Sequence, residues 1–474
     1  MSSLFSFPPS TMVALSSLLP LLLLFFTSAD LCSTQPVRGN ATGAGAGQTT
    51  AEYLRLPLLH KIRHTTPSEA LSLDAHRLSV LFSVLHPHRA FKSPIVSGAS
   101  AGSGQYFVEL KLGTPPQSLL LVADTGSDLI WVKCSACRNC SAHQPGSAFL
   151  ARHSTTFSPS HCYDSECRLV PHPKRGRCSH TRLHSPCRFE YSYVDRSRTA
   201  GFFSKETTTL NTSSGKEAHL NKLAFGCAFQ ISGPSVTGSS FNGAHGVMGL
   251  GRGPISFASQ LGHRFGNKFS YCLMDYTLSP PPTSYLLIGG SQRPITVGSR
   301  TTFTPLLINP VSPTFYYIGV VGVFVDGLKL RINPSVWGFD DLGNGGTIVD
   351  SGTTLTFLPA PAYRRILAAF KRRVKLPSPG APTQGFNLCV NVSGIVKPSL
   401  PRLSFELAGK SMFSPPARNY FIDTEQGVKC LAIQPVSSPS GMSVIGNLMQ
   451  QGFLFEFDTD RLRLGFSRRG CGRP

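Results

Sequence analysis

The sequence predicts a mainly β protein of two related lobes behind an N-terminal pro-segment. Three observations carry that expectation. From Gln105 onward the chain is written in short apolar runs broken by glycine and proline turns. The stretch "DTGSD" at Asp124 returns as "DSGTT" at Asp350, 226 positions later. No cysteine falls between Cys32 and Cys134, so the first hundred residues have a different texture from the rest. At 474 residues the chain exceeds one ordinary core, and 41% hydrophobic with 15% charged residues suits a folded protein.

The N-terminal stretch "MVALSSLLPLLLLFFTSA" reads as an export signal over residues 1–29, an apolar run closing on small residues at Thr27 and Ala29. Pro20 interrupts it, which argues against a retained anchor, and no membrane anchor is expected elsewhere. Residues 30–96 are expected to form a pro-segment. Within it, "AEYLRLPLLHKIRH" and "PSEALSLDAHRLSVLF" show helix-like apolar spacing. The exposed-looking linker between His88 and Ser103 is the expected cleavage region.

Beyond it, two catalytic lobes are expected, over residues 97–290 and 291–474. Strand-like runs include "QYFVELKLGTPPQSLLLVADTGSDLIWVKC", "FYYIGVVGVFVDGLKL" and "FLFEFDTDRLRLGF". Only "PISFASQLGHRF" and "PAPAYRRILAAFKRRV" carry clear helical spacing. The basic face of the second reads as solvated rather than anion-binding.

Thirteen cysteines fit an oxidising compartment. Leaving Cys32 aside, twelve remain as disulfide candidates: Cys134, Cys137, Cys140, Cys162, Cys167, Cys178, Cys187, Cys227, Cys272, Cys389, Cys430 and Cys471. The spacing of "CSACRNC" also suits zinc ligands, but an even set in an exported chain favours bridges, and no metal is expected. Sequons at Asn139, Asn211 and Asn391 are glycosylation candidates, with a fourth at Asn40 in the pro-segment. The net charge of +21 resides mostly in the body. It implies a cationic surface able to hold anionic cell-wall material loosely. No zinc-finger, basic-helix or RNP-like pattern is present, so nucleic acid is not an expected partner.

The two acidic turns carry the chemistry. Each follows an apolar strand, and each is followed about a hundred residues later by an apolar-apolar-glycine element, "GVMGLG" and then "SVIGNL". A single D-[ST]-G is a common turn. Two, in repeated surroundings, indicate a duplicated architecture. Peptide hydrolysis needs a base to activate water and an acid to protonate the carbonyl or leaving nitrogen. Two carboxyls about 3 Å apart cannot both ionise cheaply, so they share one proton and divide those roles. Gly126 and Gly352 allow tight turns. Thr125, Ser127, Ser351 and Thr353 offer hydroxyls and backbone donors to orient the acids.

From Gln105 to Cys471 the chain resembles the pepsin-like aspartic proteases, within them the plant nepenthesin-like group. The resemblance rests on "GQYFVELKLGTPPQ", "ADTGSDLIWVKC", "IVDSGTT" and the cysteine-rich region "CSACRNC…HCYDSEC…GRC…SPCRFEYSY". It implies a bilobal fold with a central cleft that takes an extended peptide. Asp124 and Asp350 would be the catalytic dyad, cutting peptides or proteins between bulky apolar side chains, with no cofactor. Tyr193 matches the flap tyrosine of the group, and Trp131 the residue that supports it. Val194 and Arg196 stand where small residues are usual, which would narrow entry. Cys389 and Cys430 are expected to bridge each other; order alone leaves the other pairings open.

The reading is therefore a secreted aspartic endopeptidase made as a zymogen and active in acid. It would be a monomer located extracellularly or in the cell wall, with vacuole and plastid as further compartments. The alternative is a non-proteolytic binder or glycosidase inhibitor on the same fold.

Overall fold

Alternating apolar and polar side chains build the sheets, and glycines decide where strands come close. The structure is a computed structural model; it describes residues 53–59, 71, 74, 105–138, 148–172, 185–192, 198–212, 214–233, 243–275, 282–289, 301–380, 383, 385–438, 441–468 and 471. Among the described residues strands predominate, with nineteen hydrogen-bonded into one large sheet and the others in two smaller sheets.

The first half assembles around Gln117–Asp124. This strand pairs antiparallel with Phe107–Leu112 and parallel with Gly246–Gly249, which sets Asp124 opposite Gly249. Trp131–Arg138 leaves the acidic turn, runs antiparallel to Gly246–Gly249 and lies parallel to Glu217–Ser232. The plan then repeats. Thr347–Val349 is parallel to Ser443–Ile445, and Thr356–Leu358 meets that strand antiparallel while running parallel to Ile433–Pro435. The apolar-apolar-glycine elements are thus the strands against which each acid-bearing strand lies. Their glycines are sterically required. A Cβ on Gly249 would sit 2.4 Å from the Asp128 carbonyl oxygen, and one on Gly446 2.0 Å from that of Leu355.

A shared sheet joins the halves. Its order runs Tyr53–Leu59, Ser284–Gly289, Lys268–Cys272, Leu454–Asp458, Arg463–Ser467 and Thr302–Leu307. Phe269 and Phe457 stack across it at 4.6 Å, and Tyr316 packs edge-on to Phe457 at 4.5 Å. Burying each such aromatic stabilises the fold by about 1.5–3 kcal/mol. One apolar core runs continuously through both halves, from Leu54 to Phe466. A smaller cluster under the first half gathers Phe107, Trp131, Phe189 and Phe203.

Both helices expected in the body are present. Phe257–Phe265 is capped by the Ser256 side chain and buries Phe257, Leu261 and Phe265. Ala360–Arg373 buries Tyr363, Ile366 and Phe370, while Arg364, Arg365, Lys371 and Arg372 face solvent. The helix-like spacing of "AEYLRLPLLHKIRH" is overturned at its centre. Tyr53–Leu59 is a strand, with Leu54, Leu56 and Leu58 buried and Arg55, Pro57 and Leu59 exposed. Period-two burial suits those leucines, and Pro57 lacks the donor that a helix interior would need. Leu71 and Asp74, further along, are helical.

Disulfides join Cys134–Cys227, Cys167–Cys187, Cys272–Cys471 and Cys389–Cys430, the last as expected. Cys162 is also disulfide-bonded. Cys137 has only its backbone described; Cys140 and Cys178 lie outside the described residues. Because the Cys134 sulfur is tied to Cys227, it is no thiolate for a zinc set with Cys137 and Cys140. Among the described residues no helix is long and apolar enough to cross a membrane.

Candidate active site

Each acid stands where an apolar strand ends. Leu119, Leu121 and Ala123 are buried along the first strand, and Ile348 and Val349 along the second, so the chain turns at Asp124 and Asp350. Asp124 is 5% exposed and Asp350 fully buried. Ionised carboxylates at that depth need donors. Gly126 N donates to Asp124 Oδ1 at 2.9 Å and Ser127 Oγ to Oδ2 at 2.6 Å. On the other side Gly352 N donates to Asp350 Oδ1 at 3.0 Å and Thr353 Oγ1 to Oδ2 at 2.5 Å. The two loops therefore hold their acids by the same pair of bonds.

The middle residues do something the sequence reading missed. Thr125 and Ser351 were expected to help orient the carboxylates. Instead their hydroxyls cross to the opposite loop. Ser351 N donates to Thr125 Oγ1 at 2.9 Å, and Thr125 N donates to Ser351 Oγ at 3.1 Å. Each hydroxyl then donates onward, Ser351 Oγ to Ala123 O at 2.8 Å and Thr125 Oγ1 to Val349 O at 3.3 Å. Four bonds thus clamp two turns that are 226 residues apart, and both hydroxyls are buried. Such a network is strong because it is satisfied in both directions and shielded from water.

Behind Asp350 lies a further support. Gln450 Nε2 donates to Asp350 O at 3.2 Å and to Ile445 O at 2.8 Å, and its Oε1 accepts from Tyr271 Oη at 2.5 Å. Asn447 Nδ2 donates to Ser351 O at 3.0 Å. Burial first, and then the nearby Asp350 charge, push the Tyr271 hydroxyl well above its usual range, so it remains a donor. The signal that could have found Gln450 and Asn447 is the polar pattern of "GNLMQQ" after the second glycine element.

Two more acids reach these loops. Asp128 Oδ1 accepts from Gly253 N at 2.8 Å and its Oδ2 from Thr314 Oγ1 at 2.7 Å. Burial raises its carboxyl above 3.8, against the lowering effect of those bonds. Asp74, from the expected pro-segment, is buried against the second loop; Thr354 N donates to its Oδ1 at 2.7 Å and Leu355 N to its Oδ2.

Arg188–Ser192 and Arg198–Asn211 pair as an antiparallel hairpin, with Ser192 opposite Arg198. Tyr193, Val194 and Arg196 lie outside the described residues. Trp131 is buried with Phe189 and Phe203 beneath the hairpin. Of the sequons, Asn211 is exposed, Asn391 is partly exposed and accepts from Ser393 N, and Asn139 lies outside the described residues.

Two family models match, described as Xylanase inhibitor N-terminal over residues 106–290 and Xylanase inhibitor C-terminal over residues 315–468. Among curated relatives, Aspartyl protease family protein 2 of Arabidopsis thaliana is 37% identical over 383 residues, covering 80% of this chain and 74% of that one. Aspartic proteinase nepenthesin-2 of Nepenthes gracilis is 33% identical over 404 residues, 85% of each chain. Nepenthesin-1 of the same plant is 35% identical over 382 residues, 80% of this chain and 81% of that one. The crystal structure of edgp aligns with a TM-score of 0.64 at 22% identity, covering 88% of this chain and 95% of that one. That of Basic 7S globulin from soybean aligns at 0.60 and 19%, covering 88% and 96%.

Proposed function

The chain belongs to the pepsin-like aspartic protease family, in its plant nepenthesin-like group, and from that premise we propose an aspartic endopeptidase acting through Asp124 and Asp350. The reciprocal clamp between Thr125 and Ser351 carries this reading, because it draws both acidic turns to one seam. One carboxyl holds the shared proton and the other is ionised. The ionised acid takes a proton from water as its oxygen attacks the peptide carbonyl. The protonated acid gives its proton to the carbonyl oxygen, forming a tetrahedral intermediate with no bond to the enzyme. Proton return to the nitrogen then breaks the C–N bond. Since one proton must be held, activity belongs to acid solution.

The same reading includes export and a zymogen stage. Asp74 supports the latter, since a residue of the N-terminal segment occupies two backbone donors immediately after the second acidic turn. Cleavage between His88 and Ser103 would free that segment. The substrates proposed are proteins or extended peptides, met outside the cell or in its wall.

The test is cleavage of casein or a labelled peptide by acid-incubated full chain, with and without pepstatin. Pepstatin-sensitive cleavage lost in both Asp124→Ala and Asp350→Ala supports the proposal; cleavage retained in either variant contradicts it. A second reading, a glycosidase inhibitor, is favoured by the description of the matching family models. Inhibition of a xylanase by the chain, with no peptide cleaved at any acid pH, would select it.

A further inference from the structure

Asp128 is an acid that hydrolysis itself does not use, yet it sits one residue beyond Ser127, the donor to Asp124 Oδ2. Its carboxylate spans two other elements at once: Gly253 N on one oxygen and Thr314 Oγ1 on the other. The surroundings are shaped to admit it. A Cβ on Gly253 would stand 2.2 Å from Asp128 Oδ2, and one on Gly251 2.3 Å from Oδ1. The same three segments are laced by backbone bonds. Leu250 N donates to Asp124 O, Gly251 N to Ser127 O and Arg252 N to Thr314 O, all between 2.8 and 2.9 Å. Tyr316 Oη completes the lacing by donating to Leu250 O at 2.8 Å.

We propose that Asp128 is a positioning residue for the reaction, fixing the first acidic turn by bonding Gly253 and Thr314 together. The proposal rests on the peptidase reading given above. Removing the carboxylate leaves Gly253 N and the Thr314 hydroxyl without their acceptor and lets Ser127 drift from Asp124. Misplacement of catalytic groups by about 1 Å is enough to cost roughly a hundredfold in rate. The residue touches neither substrate nor water in this scheme; it acts through Ser127 and Asp124.

The test compares acid-matured full chain with Asp128→Ala, Asp128→Asn and Thr314→Val, by steady-state kinetics and by amide exchange. Asp128→Ala is expected to lower kcat by roughly 10–100-fold with KM within about threefold. Thr314→Val should show a smaller loss of the same kind. Asp128→Asn should recover most of the rate, since the amide oxygen still accepts from Gly253 N and its nitrogen can donate to the Thr314 oxygen. Exchange of amides in 124–128 and 249–254 should quicken by about tenfold or more in Asp128→Ala, while Thr302–Leu307 is unchanged. Unchanged exchange in those two stretches overturns the proposal, as does a loss confined to KM, or an Asp128→Asn as slow as Asp128→Ala. If the parent itself cleaves no peptide, the peptidase reading fails, and the exchange result alone decides whether Asp128 fixes the turn.

Discussion

The turn at Asp124 and the turn at Asp350 agree near the acid and part company four residues later. Within three positions they are copies: glycine amide to one carboxylate oxygen, hydroxyl to the other, middle hydroxyl across the seam. At the fifth position the first turn has Asp128 and the second has Thr354. Asp128 anchors its own turn to Gly253 and Thr314. Thr354 brings no carboxylate, and its amide is met by Asp74, 280 positions earlier in the chain. The difference teaches that the part of each turn nearest its acid is duplicated, whereas the outer part has diverged. The first turn is held by residues of the body; the second is held partly by a segment expected to leave.

The largest effect should come from breaking the shared part. Asp124→Asn and Asp350→Asn are each expected to lower kcat by at least about a thousandfold, as loss of a general acid or base does. Peptide turnover measures it, and unequal losses would show that the two turns are not equivalent in chemistry. Next comes the clamp. Thr125→Val and Ser351→Ala should each lower kcat by roughly 10–100-fold, and the double variant should lose far less than the product, because either change opens the same network.

Smaller changes sharpen the outer difference. Asp74→Ala should leave the matured enzyme's kcat unaltered but speed its acid maturation by a fewfold, followed as appearance of the shortened chain. The smallest effects are in stability against pH. Burial raises the Asp458 carboxyl, but hydrogen bonds from Arg461 and Arg463 at 3.0–3.1 Å outweigh it and hold it below 3.8. Its stabilisation is therefore present above 3.8 and lost as pH falls through the depressed value. Asp128 has the opposite sign. Its carboxyl is raised by burial and by Asp124, against Thr314, Gly253 and Arg252; Tyr316 also faces it. Its contribution is full below 3.8 and is lost as pH rises through the raised value. Thermal melts should show Asp458→Asn flattening the acid limb and Asp128→Asn flattening the limb above 3.8.

What was legible in the sequence follows range. Bonds from Gly126, Ser127, Gly352 and Thr353 span two or three residues, so the motif spacing alone implies them. The repeated glycine elements announced the duplication because close strand approach excludes any Cβ. The clamp was misread: local reasoning aims Thr125 and Ser351 at the nearest carboxylate, and only tertiary folding brings a better partner across the seam. Asp74 and Tyr271 were invisible for the same reason. The strand Tyr53–Leu59 was misjudged because leucines at 54, 56, 58 and 59 satisfy helical and strand spacing alike, and the pairing that decides lies at Ser284–Gly289.

The most direct measurement is the pH dependence of kcat/KM for a labelled peptide with acid-matured protein and its Asp124→Asn and Asp350→Asn variants. A seam of two carboxyls holding one proton gives a bell confined to acid pH, and the bell vanishes in both variants. Acid turnover that survives in either one, with the parent's profile, would contradict the account.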